Sequence, residues 1–181
     1  ESLRIARDLA ARTDLPADFV QTDVLDAATA LDRRYDLVFT TGGVMMWIAD
    51  LARWADSCTR LLRPGGAFYL LDIHPLAMVL SATETGFTLG SSYFGDEHPN
   101  ATSADASYAV RDIGLVHQET REWIHPVGSV VSALADAGLV IDFLHEHPGD
   151  AQSPTNLAET SGAEDSLQLP ALYSVRAHLP G

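Results

Sequence analysis

Three groups of residues along the chain have side chains suited to chemistry. His74 stands just past an apolar run, in Asp72-Ile73-His74-Pro75. An imidazole there can take a proton from a substrate near neutral pH, or it can simply cap the next helix. His117, Glu119, Arg121, Trp123 and His125 recur at every second position. Residues i and i+2 of a strand share a face, so these five would form a polar face carrying one tryptophan. Such a face suits the lining of a substrate cleft, and it also suits a solvated sheet surface. His145 and His147 flank Glu146, but the spacing matches no tight zinc motif and no cysteine pair supports one, so no metal is expected. Cys58 is the only cysteine. It lies beside Leu61 and Leu62 in a helical pattern and reads as a buried structural thiol, and no internal disulfide is possible.

Composition narrows the classes of function. Eleven cationic residues, all arginine, stand against twenty-five acidic ones, for a formal charge of -14. That balance repels phosphate backbones, so nucleic acid is not expected as a partner. The 181 residues are 46% hydrophobic with mean hydropathy +0.03, which suits one domain over residues 1–181 with one buried core. No run approaches the roughly 20 apolar residues of a membrane helix. The chain opens with Glu1-Ser2-Leu3-Arg4, already in a helical pattern and without a leader signature, so a cytoplasmic, membrane-free protein is expected. The oligomeric state has no signature.

The elements that would position these residues alternate. Leu3, Ile5, Ala6, Leu9 and Ala10 repeat at helical spacing and predict an amphipathic helix over 2–12. Phe19-Val20 is a short β-prone segment ending at Asp23, and a helical turn over 25–31 follows. Tyr35 to Thr40 reads as a buried strand ended by Gly42-Gly43. Asp50 caps a helix through Leu62, Pro64-Gly65-Gly66 stops it, and Ala67 to Ile73 is a second buried strand. Residues 81–115 are rich in Ser, Thr, Gly and Asp and read as an insertion with one hairpin. A strand over 116–125, a helix over 127–137 stopped at Gly138, and strands over 139–145 and 171–177 complete the pattern, with a polar loop over 148–168. Helices between short apolar strands make this an α/β chain with a mostly parallel sheet, and its last two strands can pair antiparallel.

Four segments, taken in order, resemble the class I S-adenosylmethionine-dependent methyltransferases, with a likeness to bacterial small-molecule enzymes around Glu122 to Gly128. The four are Phe19-Val20-Gln21-Thr22-Asp23-Val24, Tyr35 to Gly42, Leu61-Leu62-Arg63-Pro64-Gly65-Gly66-Ala67-Phe68-Tyr69-Leu70, and Ala133 to Ile141. The resemblance implies a Rossmann-like sheet of order 3-2-1-4-5-7-6 with an antiparallel strand 7. Strands 1 and 2 and the glycine-rich cofactor loop do not occur in this chain and are expected upstream of Glu1. It further implies S-adenosylmethionine as cofactor, with Asp23 and Val24 near its adenine and Thr40, Thr41 and Gly42 beside its methionine part. Trp47, after Met45 and Met46, would wall that pocket.

On the same reading, His74 and His125 are the candidate bases, and His117, Glu119, Arg121 and Trp123 face a small-molecule acceptor. Residues 81–125 are the insertion expected to cover it. Asp23 also suits a helix cap, and Gly42 a plain turn. Two alternatives stay open. One is a methyltransferase-like remnant acting as a non-catalytic binding module; the other is a nicotinamide-dependent oxidoreductase, which needs an all-parallel sheet and a dinucleotide fingerprint.

Overall fold

The computed structural model describes residues 2–83, 86–95, 98–103, 118–148 and 169–181. In chain order its elements are α1 (Ser2–Arg12), α2 (Ala27–Leu31), β1 (Tyr35–Thr41), α3 (Leu51–Leu61), β2 (Leu62–Ile73), α4 (Pro75–Val79), β3 (Leu80–Thr83), β4 (Gly86–Leu89), β5 (Asn100–Ser103), β6 (Glu119–Glu122), α5 (Val127–Asp136), β7 (Val140–Pro148) and β8 (Pro170–His178). Two single turns of 3-10 helix, Val24–Asp26 and Met45–Trp47, lie before α2 and α3.

Four strands form the main sheet in the order β1-β2-β8-β7. β1 is parallel to β2, while β8 is antiparallel to both β2 and β7, so three strands run one way and β8 runs against them. This arrangement corresponds to the 4-5-7-6 end of the expected order. β3 pairs with β4 as a hairpin, and β5 pairs with β6 in a separate two-stranded ladder.

Helices α3 and α5 cover one face of the sheet. Asp50 starts α3 by accepting the Arg53 N–H at 3.0 Å, the expected cap. Trp54 packs edge-on against Phe68, ring centroids 5.7 Å apart, with Leu62, Leu70, Val130, Leu134 and Val175 around them and fully buried. The buried Cys58 thiol lies within the same core.

Three sequence expectations need correction. Phe19-Val20 forms no strand, because among the described residues no neighbouring strand bonds to it. The second buried strand begins at Leu62 instead of Ala67, so Pro64-Gly65-Gly66 is a bulge within β2 and not a turn before it. The register jumps there from Tyr35↔Leu62 to Leu37↔Ala67. Among the described residues, the strand expected over 116–125 pairs over Glu119–Glu122 alone. The polar loop expected after β7 lies outside the described residues. α1 has the expected period, yet none of its residues is buried and Ile5 and Leu9 are exposed.

The bulge explains the glycines. Gly65 adopts φ +78°, and its N–H donates to the Leu179 carbonyl at 2.8 Å while the Leu179 N–H donates to the Gly66 carbonyl at 2.9 Å. A Cβ on Gly66 would sit 2.9 Å from the Arg63 carbonyl oxygen and 3.1 Å from that of Tyr35, both immobile backbone atoms. Gly128, early in α5, has open space around it. Gly66→Ala should therefore lose about 1–3 kcal/mol of stability. Gly128→Ala should gain about 0.5–1 kcal/mol. Urea unfolding of both variants checks this, and equal midpoints would contradict the reading of the bulge.

Candidate active site

The carboxyl ends of β1 and β2 meet at one rim of the sheet, where open α/β sheets place their ligands. β1 ends in Thr40-Thr41, and its ladder extends by one bond, from the Gly42 N–H to the Leu71 carbonyl at 3.3 Å. Gly42 and Gly43 then both take positive φ, +85° and +79°, and the backbone turns away from the sheet. Around Gly42 there is open space, whereas a Cβ on Gly43 would touch Ile73 and Met46.

The segment after this turn is tied on two sides. Asp72, 2% exposed at the end of β2, accepts the Val44 N–H at 2.8 Å and the Met45 N–H at 3.1 Å through Oδ2, and the Ile73 N–H at 2.6 Å through Oδ1. A buried carboxylate is tolerated when amide donors replace its water in this way. From the other side, the Trp123 N–H donates to the Met46 carbonyl at 2.9 Å, and His125 Nε2 bonds the Ile48 carbonyl at 2.6 Å. Sequence reasoning missed Asp72. Only its place in an alternating buried strand, two residues beyond Leu70, could have singled it out.

Between these ties lies a cavity of about 10 Å3, room for one water molecule. Met46, Met78 and Trp123 give it an apolar wall, and Asp72, His125 and Tyr173 a polar one. Tyr173 is 1% exposed, and burial together with the nearby Asp72 and Tyr93 pushes its hydroxyl pKa up, so it stays a proton donor.

The four described residues of the alternating set do not act as one face. β6 ends at Glu122, and the chain runs without regular structure to α5. Trp123 and His125 enter the cavity wall, whereas Glu119 and Arg121 are exposed. His117 lies outside the described residues.

His125 Nε2–H is committed to a carbonyl acceptor, which leaves Nδ1 as the lone pair of the neutral ring. Burial lowers its pKa, opposed by that hydrogen bond. His74 is differently placed. Its Nδ1 accepts the Leu76 N–H at 3.1 Å and caps α4, and its Nε2 donates to Glu146 Oε1 at 2.9 Å. Both ring nitrogens are occupied by protein partners, with no lone pair to spare in the neutral form. Burial lowers its pKa, partly offset by Glu146. His147 bonds Ser174, Glu146 bonds His74, and His145 stacks on Phe143 while meeting the His147 ring edge-on, so each group of the His-Glu-His run has its own bonding partner.

Asp23 Oδ1 accepts the Leu25 N–H at 2.9 Å and caps the Val24–Asp26 turn, which is tied to α3 by Ser57 Oγ donating to the Val24 carbonyl at 3.2 Å. This cap uses the Leu25 and Asp26 amides and not that of Val24. Trp47 is 49% exposed beside Met46. Burial pushes the Cys58 thiol pKa up to about 12, which leaves no thiolate for nucleophilic chemistry near neutral pH.

Residues 1–66 match a family described as a methyltransferase domain. A ubiquinone biosynthesis O-methyltransferase from a Methylobacterium species (strain 4-46) is 26% identical over 152 residues, covering 81% of this chain and 60% of that protein. The chain thus spans about three-fifths of that curated relative's length. An S-adenosylmethionine-dependent methyltransferase from Clostridium acetobutylicum superposes with TM-score 0.62 at 13% identity, over 99% of this chain and 71% of the other. One from Mesorhizobium loti gives 0.57 at 18% identity, over 93% and 74%.

The fold is that of an S-adenosylmethionine-dependent methyltransferase. The matched segment is similar to a methyltransferase domain, and the fold resembles that of the class I members of that family. The antiparallel β8 departs from the all-parallel sheet of the oxidoreductase alternative.

Both lowered imidazoles give stability a defined pH dependence. Their folded pKa values lie below the ordinary 6.5, so in the window beneath 6.5 the unfolded chain binds more protons. Their contribution is present above pH 6.5 and is lost as pH falls from there toward the folded values. Melting temperatures between about pH 7.5 and about pH 5 should fall more for the wild type than for a His74→Gln/His125→Gln double variant. Equal losses would contradict the burial of these rings as neutral groups.

Proposed function

We propose that the full-length protein transfers the methyl group of S-adenosylmethionine to a small-molecule acceptor at the rim formed by the ends of β1 and β2. The observation that carries this reading is the 44–48 segment. It is bonded on one side to Asp72 and on the other to Trp123 and His125, and so joins the end of β1 to the chain after β6 around one small cavity.

The residues present fit part of the donor. The double-glycine turn offers close backbone approach for its methionine part, which Thr40, Thr41 and Gly42 would hold, with Trp47 closing the edge. Asp23 and the Val24 N–H, at the start of a 3-10 turn, suit an adenine ring. The 181 residues contain no glycine-rich loop for the middle of the molecule. When bound, the donor supplies a methyl group already activated by the positive sulfonium. The chain's own work is to align the acceptor and to exclude water.

His125 is the base in this scheme. Its Nε2–H is anchored on a backbone carbonyl, burial keeps the ring neutral, and Nδ1 can take a proton from an acceptor hydroxyl. His74 serves as the α4 cap. Trp123 and the methionines form the acceptor wall, and methionine's unbranched chain allows the small cavity to widen on binding. Glu119 and Arg121, exposed on β6, stand at its outer rim. An oxygen acceptor agrees with the name of the Methylobacterium relative, an O-methyltransferase. The charge of -14 disfavours a nucleic-acid acceptor.

Calorimetric titration of S-adenosylmethionine into the 181-residue chain and into the full-length protein tests the reading. Saturable binding by the full-length protein is expected, and binding by neither would leave the non-catalytic binding module as the better account. With an acceptor in hand, His125→Ala should lower kcat by about 10²–10⁴-fold with donor affinity unchanged. An unchanged kcat would remove His125 from the chemistry.

A further inference from the structure

Asp72 is buried, carries a carboxylate, and among the described residues points no oxygen at a positively charged partner. Its hydrogen bonds go to backbone amides, two of which belong to the segment immediately after Gly42-Gly43. A carboxylate bonded to amides holds them more firmly than a neutral acceptor would, because the bonds are charge-assisted. It also fixes direction. Val44 and Met45 stand at the start of the Met45–Trp47 turn, where N–H groups have no partner within the helix. One side chain therefore satisfies amides that would otherwise be orphaned, and it sets the exit of a turn whose two glycines give the backbone little stiffness of its own. The same segment carries the Met46 and Ile48 carbonyls that receive Trp123 and His125.

We infer that Asp72 is a positioning residue for the methyl donor: by holding the Val44 and Met45 amides it presets the Gly42–Gly43 turn, and through Met46 and Ile48 it sets that turn against His125. This rests on the donor reading above for the identity of the ligand, though not for the state of the turn. The donor meets a preordered backbone and does not have to order it on binding, which preserves affinity.

The test uses the full-length protein and the Asp72→Asn variant, which keeps the side chain's size but removes its charge and turns an NH2 group toward amide donors. Calorimetry should show donor affinity weakened tenfold or more. In the unliganded proteins, the backbone amide resonances of Gly42 to Met45 should shift or broaden in the variant, while those of α5 and β7 stay in place. A role in general stability alone would lower the melting temperature and leave the affinity of the folded molecules intact. A folded variant that binds the donor within twofold of wild type overturns the inference.

Should the variant fail to fold, amide hydrogen exchange on the wild type decides. Val44 and Met45 amides protected as strongly as those of β2 support the inference, and amides exchanging like an open loop overturn it. If the wild type does not bind S-adenosylmethionine, the donor reading fails, while the resonance and exchange data still report whether Asp72 holds the turn.

Discussion

The twelve residues of β2 must satisfy two hydrogen-bonded ladders and two sheet faces at once. Its edges are occupied by β1 and β8, and every second side chain from Gly66 onward goes to the face beneath α3 and α5. Because the side-chain period of a strand is two, register leaves little freedom. The alternation that sends Phe68 and Leu70 into the core sends Asp72 to the same face two residues later. At that depth the apolar core is ending and the cavity begins. A carboxylate is tolerated there because three amides converge on it. Fold and site thus share one strand, and the polar residue that organises the rim is the continuation of the pattern that builds the core.

The fold was legible wherever local chemistry and tertiary placement agree. Asp50 caps α3 as its residue type demands, Gly42-Gly43 ends β1 at positive φ, and Gly138 stops α5 at φ +95°. It was illegible where placement depends on partners distant in sequence. Phe19-Val20 has the composition of a strand, yet a strand exists only through bonds to a neighbour, and none forms among the described residues. The Pro64-Gly65-Gly66 sequence reads as a stop signal. Its bulge arises from the two bonds to Leu179, more than a hundred residues away, which no local pattern records.

The candidate site followed the same division. Period-two spacing grouped five residues; of the four that are described, Trp123 and His125 reach the cavity, whereas Glu119 and Arg121 stay exposed on β6, which ends at Glu122. The two histidines looked equivalent as residue types. What separates them is the use of their nitrogens: His74 spends both on the α4 cap and Glu146, and His125 spends one on a carbonyl. Asp23 does what an acid after an extended segment does by chemistry alone, bonding the next turn's amide.

The antiparallel β8 has a consequence for how the molecule comes into being. It lies between β2 and β7 in space but follows both in sequence, and its pairs with β2 join residues on the order of a hundred positions apart. A chain emerging from the ribosome presents β2 already paired with β1, then β7, and both β2 and β7 have an edge awaiting β8. The interval before β8 is made is therefore when these open edges are most exposed to other nascent chains, and when a holding chaperone would matter most. Closure of the sheet is a late, long-range event, and the entropy of that closure, more than any helix, should set the pace of maturation.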